Sequence, residues 1–196
     1  MSERVGDWCQ TFTGRQFWPM DPRPEDVCLE DIAHALSLQC RFAGHCREFY
    51  SVAEHSVRVS RAVESVLPDE MAPEPRRLML LAALLHDASE AYLVDVPRPV
   101  KPYLVGYREA ESRVMVAVES WAGLYGSYTH DHEAVKCADE ALLRTEARDL
   151  LGPPPAPWGF RQGAPAKPLP GVIVPWSPRV ARREFIERAT VLGLTT

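Results

Sequence analysis

The stretch LLHDASEAYLVDV, residues 84–96, places four ionisable groups in one of the most apolar parts of the chain. Together with the apolar residues before it, the stretch predicts a central helix over residues 76–94 that is buried nearly all round. Prolines that follow at once end this helix. Buried ionisable groups without partners are costly, so they need a common partner of opposite charge. The four groups are His86, Asp87, Glu90 and Asp95.

Apolar residues at helical spacing predict further helices on both sides of this stretch. In the helix before it, the apolar stripe includes Val59 and Val66, and His55 lies on the same stripe. The last helix begins with Ser177-Pro178, a typical N-cap and first-turn pair. The predicted fold class is therefore all-α. The further helices cover residues 29–40, 51–67, 106–122, 131–151 and 179–194.

The two ends of the chain differ from this helical core, which spans about residues 29–151. Residues 1–28 are rich in proline and aromatic residues and predict an irregular or hairpin-like arm. Residues 152–178 contain nine prolines and cannot be helical, although a short strand is expected at 172–174. We expect one domain over residues 1–196, with a proline-rich strap before the last helix.

Composition excludes several classes of protein. The net charge of −5 argues against a protein that binds polymeric nucleic acid. The sequence has no signal-peptide pattern and no apolar run of the ~20 residues that a membrane span needs, so we expect a cytoplasmic protein without a membrane partner. Five cysteines without a C-x-x-C pair fit reduced thiols, and the spacing of Cys40, His45 and Cys46 matches no standard zinc site.

Polar residues on three separate helices point to a metal site. His55 and Asp139 each interrupt the apolar stripe of a helix, and His86-Asp87 lies inside the most apolar helix. A single inward histidine or aspartate is usually a hydrogen-bonded core residue, but the adjacent pair is rarer. One divalent ion would neutralise such a cluster, and imidazole and carboxylate ligands suit Mn²⁺, Co²⁺, Mg²⁺, Fe²⁺ or Zn²⁺.

The order His55, His86-Asp87, Asp139 resembles the H…HD…D signature of the HD-domain metal-dependent phosphohydrolases. The strings AEHS at 53–56 and HDASE followed by DVPRPVK up to residue 101 are similar to those of the bacterial YfbR-like 5′-deoxynucleotidases and the related phage dATP triphosphohydrolases. The similarity covers roughly residues 30–150, which leaves out both arms.

The resemblance implies an HD-domain helical bundle and a role for each of nine residues. His55, His86, Asp87 and Asp139 would ligate one ion, which would polarise a phosphoryl oxygen and lower the pKa of a bound water. Glu90 would orient or deprotonate the water, and Asp95 would assist proton transfer. The substrate contacts would be Arg41, Phe42 and Lys101.

The expected function is hydrolysis of nucleotides, with deoxynucleoside 5′-monophosphates as the first choice of substrate. A deoxynucleoside triphosphate, hydrolysed to nucleoside and triphosphate, is the second choice and would require further cations such as Arg98 or Arg47. A non-catalytic, metal-stabilised module that binds a nucleotide or a protein partner is the third. Relatives of this type are often homodimers, so a homodimer is expected. The proline-rich segment is read as a strap in preference to a lid that would stack Trp158, Phe160 or Trp176 on a base.

Overall fold

The computed structural model describes residues 4–159 and 167–195, and within these ranges the fold is all-α, as predicted. Seven α-helices and one two-stranded sheet follow in chain order within these described ranges. The strands are β1 (Cys9–Gln10) and β2 (Gln16–Phe17). The helices are α1 (Leu29–Leu38), α2 (Val52–Glu64), α3 (Pro73–Leu84), α4 (Glu90–Leu93), α5 (Tyr107–Trp121), α6 (Glu133–Leu150) and α7 (Pro178–Val191).

The predicted helices α1, α5, α6 and α7 are confirmed within a few residues, and α2 is confirmed with an earlier end. The hydroxyl of Ser177 accepts a hydrogen bond from the Val180 amide at 3.4 Å, which is the expected N-cap of α7. In α2, the prediction that Val66 faces the core is wrong. The helix ends at Glu64, and Val66 is 71% exposed in the turn that follows.

The predicted continuous helix over residues 76–94 is wrong, because α3 ends at Leu84 and α4 begins at Glu90. The carbonyl of Ala83 would accept the Asp87 amide in a continuous helix, but it accepts a hydrogen bond from Nδ1 of His86 at 2.9 Å. In the turn that follows, the amides of Ala88 and Glu90 donate to carbonyls three residues earlier, as in a 3-10 helix. His86 and Asp87 therefore lie in a turn, where their side chains need not point in the directions that a continuous helix would impose.

Helix α2 lies at the centre of the fold, in contact with α1, α3, α6 and α7. Its four valines and Ala53 are fully buried, and the last two turns of α3 are buried on every side. This packing places the first turn of α2 against α6 and the end of α3, which is where the candidate site lies. None of the helices in the described ranges is long and apolar enough to cross a membrane.

Both arms pack on this core. β1 and β2 form the predicted hairpin, and Phe17 is fully buried with its ring stacked on Tyr92, 3.7 Å between centroids. In the proline-rich segment, Phe160 lies outside the described residues, and the strand predicted at 172–174 is wrong. The amide of Ile173 donates to the Asp149 carboxylate at 2.9 Å, so the segment is tied to α6 by a side chain and not by a sheet.

Candidate metal centre and adjoining cavity

The nine predicted site residues come from three helices and from the turns and short 3-10 segments around them. His55 is in the first turn of α2, and Asp139 is in the second turn of α6. His86 and Asp87 occupy the turn after α3, while Glu90 begins α4. Asp95 follows α4 directly. The remaining three residues, Arg41, Phe42 and Lys101, lie in the short 3-10 segments Arg41–Gly44 and Lys101–Tyr103.

Three of the predicted ligands meet at one point. Nε2 of His55 lies 3.2 Å from Nε2 of His86 and 3.2 Å from Oδ1 of Asp139. These three residues form a group whose ligand atoms are mutually within 4.8 Å, and they could hold one metal ion. In the described ranges no other such group of histidine, cysteine or acidic residues occurs, so Cys40, His45 and Cys46 do not form one.

Asp87, the fourth predicted ligand, lies at the edge of this group. Its Oδ2 is 3.2 Å from Nε2 of His86 and 3.6 Å from Nε2 of His55. The same oxygen is 3.5 Å from Nη1 of Arg41. Asp87 is thus positioned between the histidines and the arginine, and its role as a ligand stays a prediction.

Outer hydrogen bonds fix which nitrogen of each histidine faces the group. Nδ1 of His86 must donate to the Ala83 carbonyl, because a carbonyl oxygen can only accept. Nδ1 of His55 lies 2.6 Å from Oε1 of Glu146, a fully buried carboxylate. In the neutral rings both Nε2 lone pairs therefore point at the same space, beside carboxylate oxygens. Only a positive charge there removes the repulsion, so the donor set fits a divalent cation.

The pKa values of the group reflect the same demand for positive charge. Burial and the Arg41 charge lower the pKa of His55, but Glu146 and Asp139 outweigh both and raise it to about 9. Burial alone would raise the pKa of Asp139, but its hydrogen bond with His55 acts in the opposite direction, and the pKa is lowered to about 2. In the absence of metal the cluster therefore takes up a proton on His55, and a cation that binds must displace it.

A cavity of about 470 Å³ opens beside the candidate metal ligands. Its lining includes Asp87 and Asp139 and all five of the predicted catalytic and substrate-binding residues. Arg98 adds a further cation to the wall, and apolar side chains supply much of the rest. These apolar residues are Val96, Pro97, Pro99, Leu143 and Trp158.

The two predicted catalytic carboxyls face this cavity. Glu90 is 4% exposed, and burial first, then the charges of Asp87 and Asp95, raise its pKa well above the ordinary value. Its Oε1 lies 3.5 Å from Nζ of Lys101, while Oε2 has no hydrogen-bond partner in the described part of the chain. Burial also raises the pKa of Asp95. Both groups therefore hold a proton more readily than an ordinary carboxyl does, which suits a role in proton transfer.

The segment that carries Arg41 and Phe42 has a strained backbone. Phe42 and Ala43 have φ values of 56° and 50°, in the left-handed region that is unfavourable for residues with a Cβ, and Gly44 continues the turn with φ 80°. Left-handed backbone costs roughly 1–2 kcal/mol per non-glycine residue. This turn brings the Phe42 ring to the cavity wall, with the Arg41 guanidinium 5.4 Å from its centroid.

The sequence predictions missed two contributors to the centre. Glu146 holds His55 and also accepts from Arg41, at 3.3 Å from Nε and 3.2 Å from Nη2. It lies seven residues after Asp139, two helical turns on, and that spacing was the available signal. Gln39 binds the loop around α4 by donating to the Glu90 carbonyl and accepting from the Asp95 amide, each at 2.9 Å. Nothing in the sequence pattern marks Gln39.

The fold and this group of side chains define an all-α protein with a candidate centre for one metal ion. The chain is 38% identical over 179 residues to the uncharacterized protein YfdR of Escherichia coli K12, covering 91% of this chain and 92% of that protein. It is also 38% identical over 149 residues to the uncharacterized protein RCAP_rcc00048 of Rhodobacter capsulatus, 74% of each chain. The chain belongs to the YfdR family. A comparison with models of known protein families finds no match.

Proposed function

We propose that this protein is a metal-dependent phosphohydrolase of the HD-domain type that acts on nucleotides, with deoxynucleoside 5′-monophosphates as the preferred substrates. The observation that carries the proposal is the convergence of His55, His86 and Asp139 beside a cavity that is lined by Asp139 itself and by Glu90, Asp95 and Lys101. Ligands for a cation, carboxyls for proton transfer and cations for phosphate are the three requirements of hydrolytic phosphoryl chemistry.

The candidate ligands are His55, His86 and Asp139, with Asp87 as the proposed fourth. A divalent ion held by them would supply positive charge to a phosphoryl oxygen and acidify a water molecule. Outside this group, Arg41 lies 3.5 Å from Asp87, and Glu146 holds His55. These contacts orient the side chains of Asp87 and His55 before a substrate binds, which is a condition for efficient catalysis.

Glu90 is the proposed residue for proton transfer. It is buried, its pKa is raised, and its Oε2, which has no hydrogen-bond partner among the described residues, is available to a water molecule or to substrate. Lys101 lies 3.5 Å away and is also paired with Glu111 at 2.7 Å, so its ammonium group is held at the cavity wall. The pair would orient the attacking water and balance the charge of the phosphate.

The number of cations at the wall favours a monophosphate over a triphosphate. A triphosphate requires more basic contacts than Arg41 and Lys101, and of the two further candidates only Arg98 is among the described residues that line the cavity. Arg98 is already close to acidic groups, at 3.3 Å from Glu140 and 3.9 Å from Asp139. Arg41 is likewise shared between Glu146 and Asp87.

The test is a substrate panel. Purified protein is incubated with deoxynucleoside mono- and triphosphates in Mn²⁺, Co²⁺ or Mg²⁺, and the release of phosphate and of triphosphate is measured separately. We expect phosphate release from the monophosphates and its loss in Asp87→Ala. Release of triphosphate alone would make the second substrate class correct. Absence of both, with metal and nucleotide still bound, would favour the non-catalytic module.

A further inference from the structure

The first part of the proline-rich segment turns a single side chain inward. Residues 152–157 are all exposed and include prolines at 153, 154, 155 and 157, whereas Trp158 is half-buried and Gly159 is exposed again. Prolines fix φ and favour extended backbone, so this part of the segment is stiff without packing on the core. It therefore presents the indole of Trp158 at little cost in conformational entropy.

The indole of Trp158 lies on the wall of the cavity beside the metal ligands. Its ring is 6.3 Å from that of Phe42, at 61° between planes. The Phe42 ring in turn lies 5.4 Å from the guanidinium of Arg41, whose Nη1 is 3.5 Å from Asp87. This series of contacts leads from the charged end of the cavity to a pair of aromatic rings, neither of which is fully buried.

Other residues attach the strap to the helices. The amide of Leu169 donates to Oγ1 of Thr145 at 2.8 Å, and the amide of Ile173 donates to Asp149. The amide of Trp176 donates to the buried carboxylate of Glu54 at 2.7 Å. All three attachments lie ten or more residues after Trp158. These three contacts hold the later part of the strap on the core without involving Trp158.

We infer that Trp158, paired with Phe42, is a substrate-specificity residue that stacks on the base of the nucleotide. The ligand class that this pair selects is a phosphate ester with a flat aromatic group. The inference rests on the proposed function, which places the phosphate at the charged end of the same cavity. Every nucleobase offers a π-face, so the pair contributes affinity for bases in general.

Equilibrium binding to a pair of ligands tests this inference. Isothermal titration calorimetry with Mn²⁺, in a Glu90→Gln background that prevents turnover, compares dAMP and dCMP with 2-deoxyribose 5-phosphate, which has the same sugar and phosphate but no base. Trp158→Ala should weaken binding of the nucleotides by about tenfold or more and leave 2-deoxyribose 5-phosphate unchanged. Trp158→Phe should retain most of the affinity. Trp8→Ala, at an exposed tryptophan outside the cavity lining, is the matched control and should change neither ligand.

Equal weakening of both ligands in Trp158→Ala would overturn the inference, because it would mean that the residue only supports the fold of the site. Unchanged nucleotide affinity, or no nucleotide binding by the parent protein, would overturn it as well. Binding that depends on Trp158 without phosphate release by the wild-type protein would support the inference and reject the proposed function. Phosphate release by the wild-type protein together with unchanged nucleotide affinity in Trp158→Ala would support the proposed function and overturn the inference.

Discussion

Two fully buried glutamates, Glu54 on α2 and Glu146 on α6, have different partners and different roles. Glu54 accepts from Nη2 of Arg58 at 2.7 Å and from the Trp176 amide, so it ties the strap to α2. Glu146 accepts from Arg41 and lies 2.6 Å from Nδ1 of His55. Although Glu54 and His55 are adjacent in sequence, Glu54 contacts the strap, whereas His55 belongs to the candidate metal group.

The pKa values of the two carboxylates are shifted in opposite directions. Burial is the dominant influence on Glu54 and raises its pKa, although Trp176 and Arg58 oppose it. Burial also acts on Glu146, but the charges of Arg41 and His55 outweigh it and lower the pKa. Burial alone therefore does not reveal a functional carboxylate. The identity of its partners does, and only Glu146 is held between two cationic groups of the site.

A third buried carboxyl sharpens the comparison and carries the largest expected effect. Glu90 faces the cavity beside the partly exposed Lys101, so Glu90→Gln should lower kcat for deoxynucleoside monophosphate hydrolysis by about 10²- to 10⁴-fold. The affinity for Mn²⁺ should stay unchanged, because Glu90 is not among the proposed ligands. Steady-state kinetics and a metal titration check the two parts. Loss of metal in this variant would reject the division between ligands and catalytic residues.

The two glutamates themselves form a matched pair for metal affinity. Glu146→Gln should weaken Mn²⁺ binding by about 10- to 100-fold, because it removes the negative charge that orients His55 and raises its basicity. Glu54→Gln changes the residue next to His55 in sequence but should leave the affinity unchanged. Titration of both variants against a competing chelator measures the difference. Equal effects would mean that Glu146 is no more than a structural residue.

The smallest expected effect is a difference between Glu54 and Glu146 in how each contributes to stability as the pH changes. A raised pKa in the folded protein means that ionised Glu54 costs stability at pH 7, and this cost disappears as the pH falls toward about 4.5, the ordinary value for glutamate. A lowered pKa means that Glu146 contributes stability above about 4.5, which is lost at lower pH.

Urea unfolding in EDTA at pH 7, 5.5 and 4 measures this contrast. Relative to Glu54→Gln, the wild-type protein should gain stability as the pH falls from 7 toward 4.5. Relative to Glu146→Gln, it should keep its advantage to about pH 5 and lose it below. Parallel curves for the two variants would contradict the assigned directions.

The helical parts of the fold could be predicted because their apolar residues recur at the period of a helix, as in α5 and α6. The break at Leu84 could not, because residues 84–96 contain no proline or glycine and the break depends on a hydrogen bond from the side chain of His86. The short strand at 172–174 failed for a related reason. The pattern is suitable, but the partner of Ile173 is the side chain of Asp149.

The candidate site could be predicted where the residue type itself is unusual in its surroundings. His55, His86 and Asp139 interrupt apolar stripes, and the structure brings these three together. Glu146 shares a helix face with Asp139, which was its one sequence signal, but only the contact with His55 shows its role. Gln39 has no sequence signal, and only its contacts across the fold reveal it. The roles of Asp87, Glu90, Asp95 and the substrate-binding residues stay predictions.

Metal stoichiometry is the most direct test of the central claim that one group of histidine and aspartate ligands holds a single divalent ion. Calorimetric titration of the metal-free protein with Mn²⁺ should give one site per chain, release of a proton at pH 7, and no site in His86→Ala. His45→Ala, which removes an exposed histidine outside this group, should bind as the wild-type protein does. Binding that persists in His86→Ala, or that is lost in His45→Ala, would contradict the account.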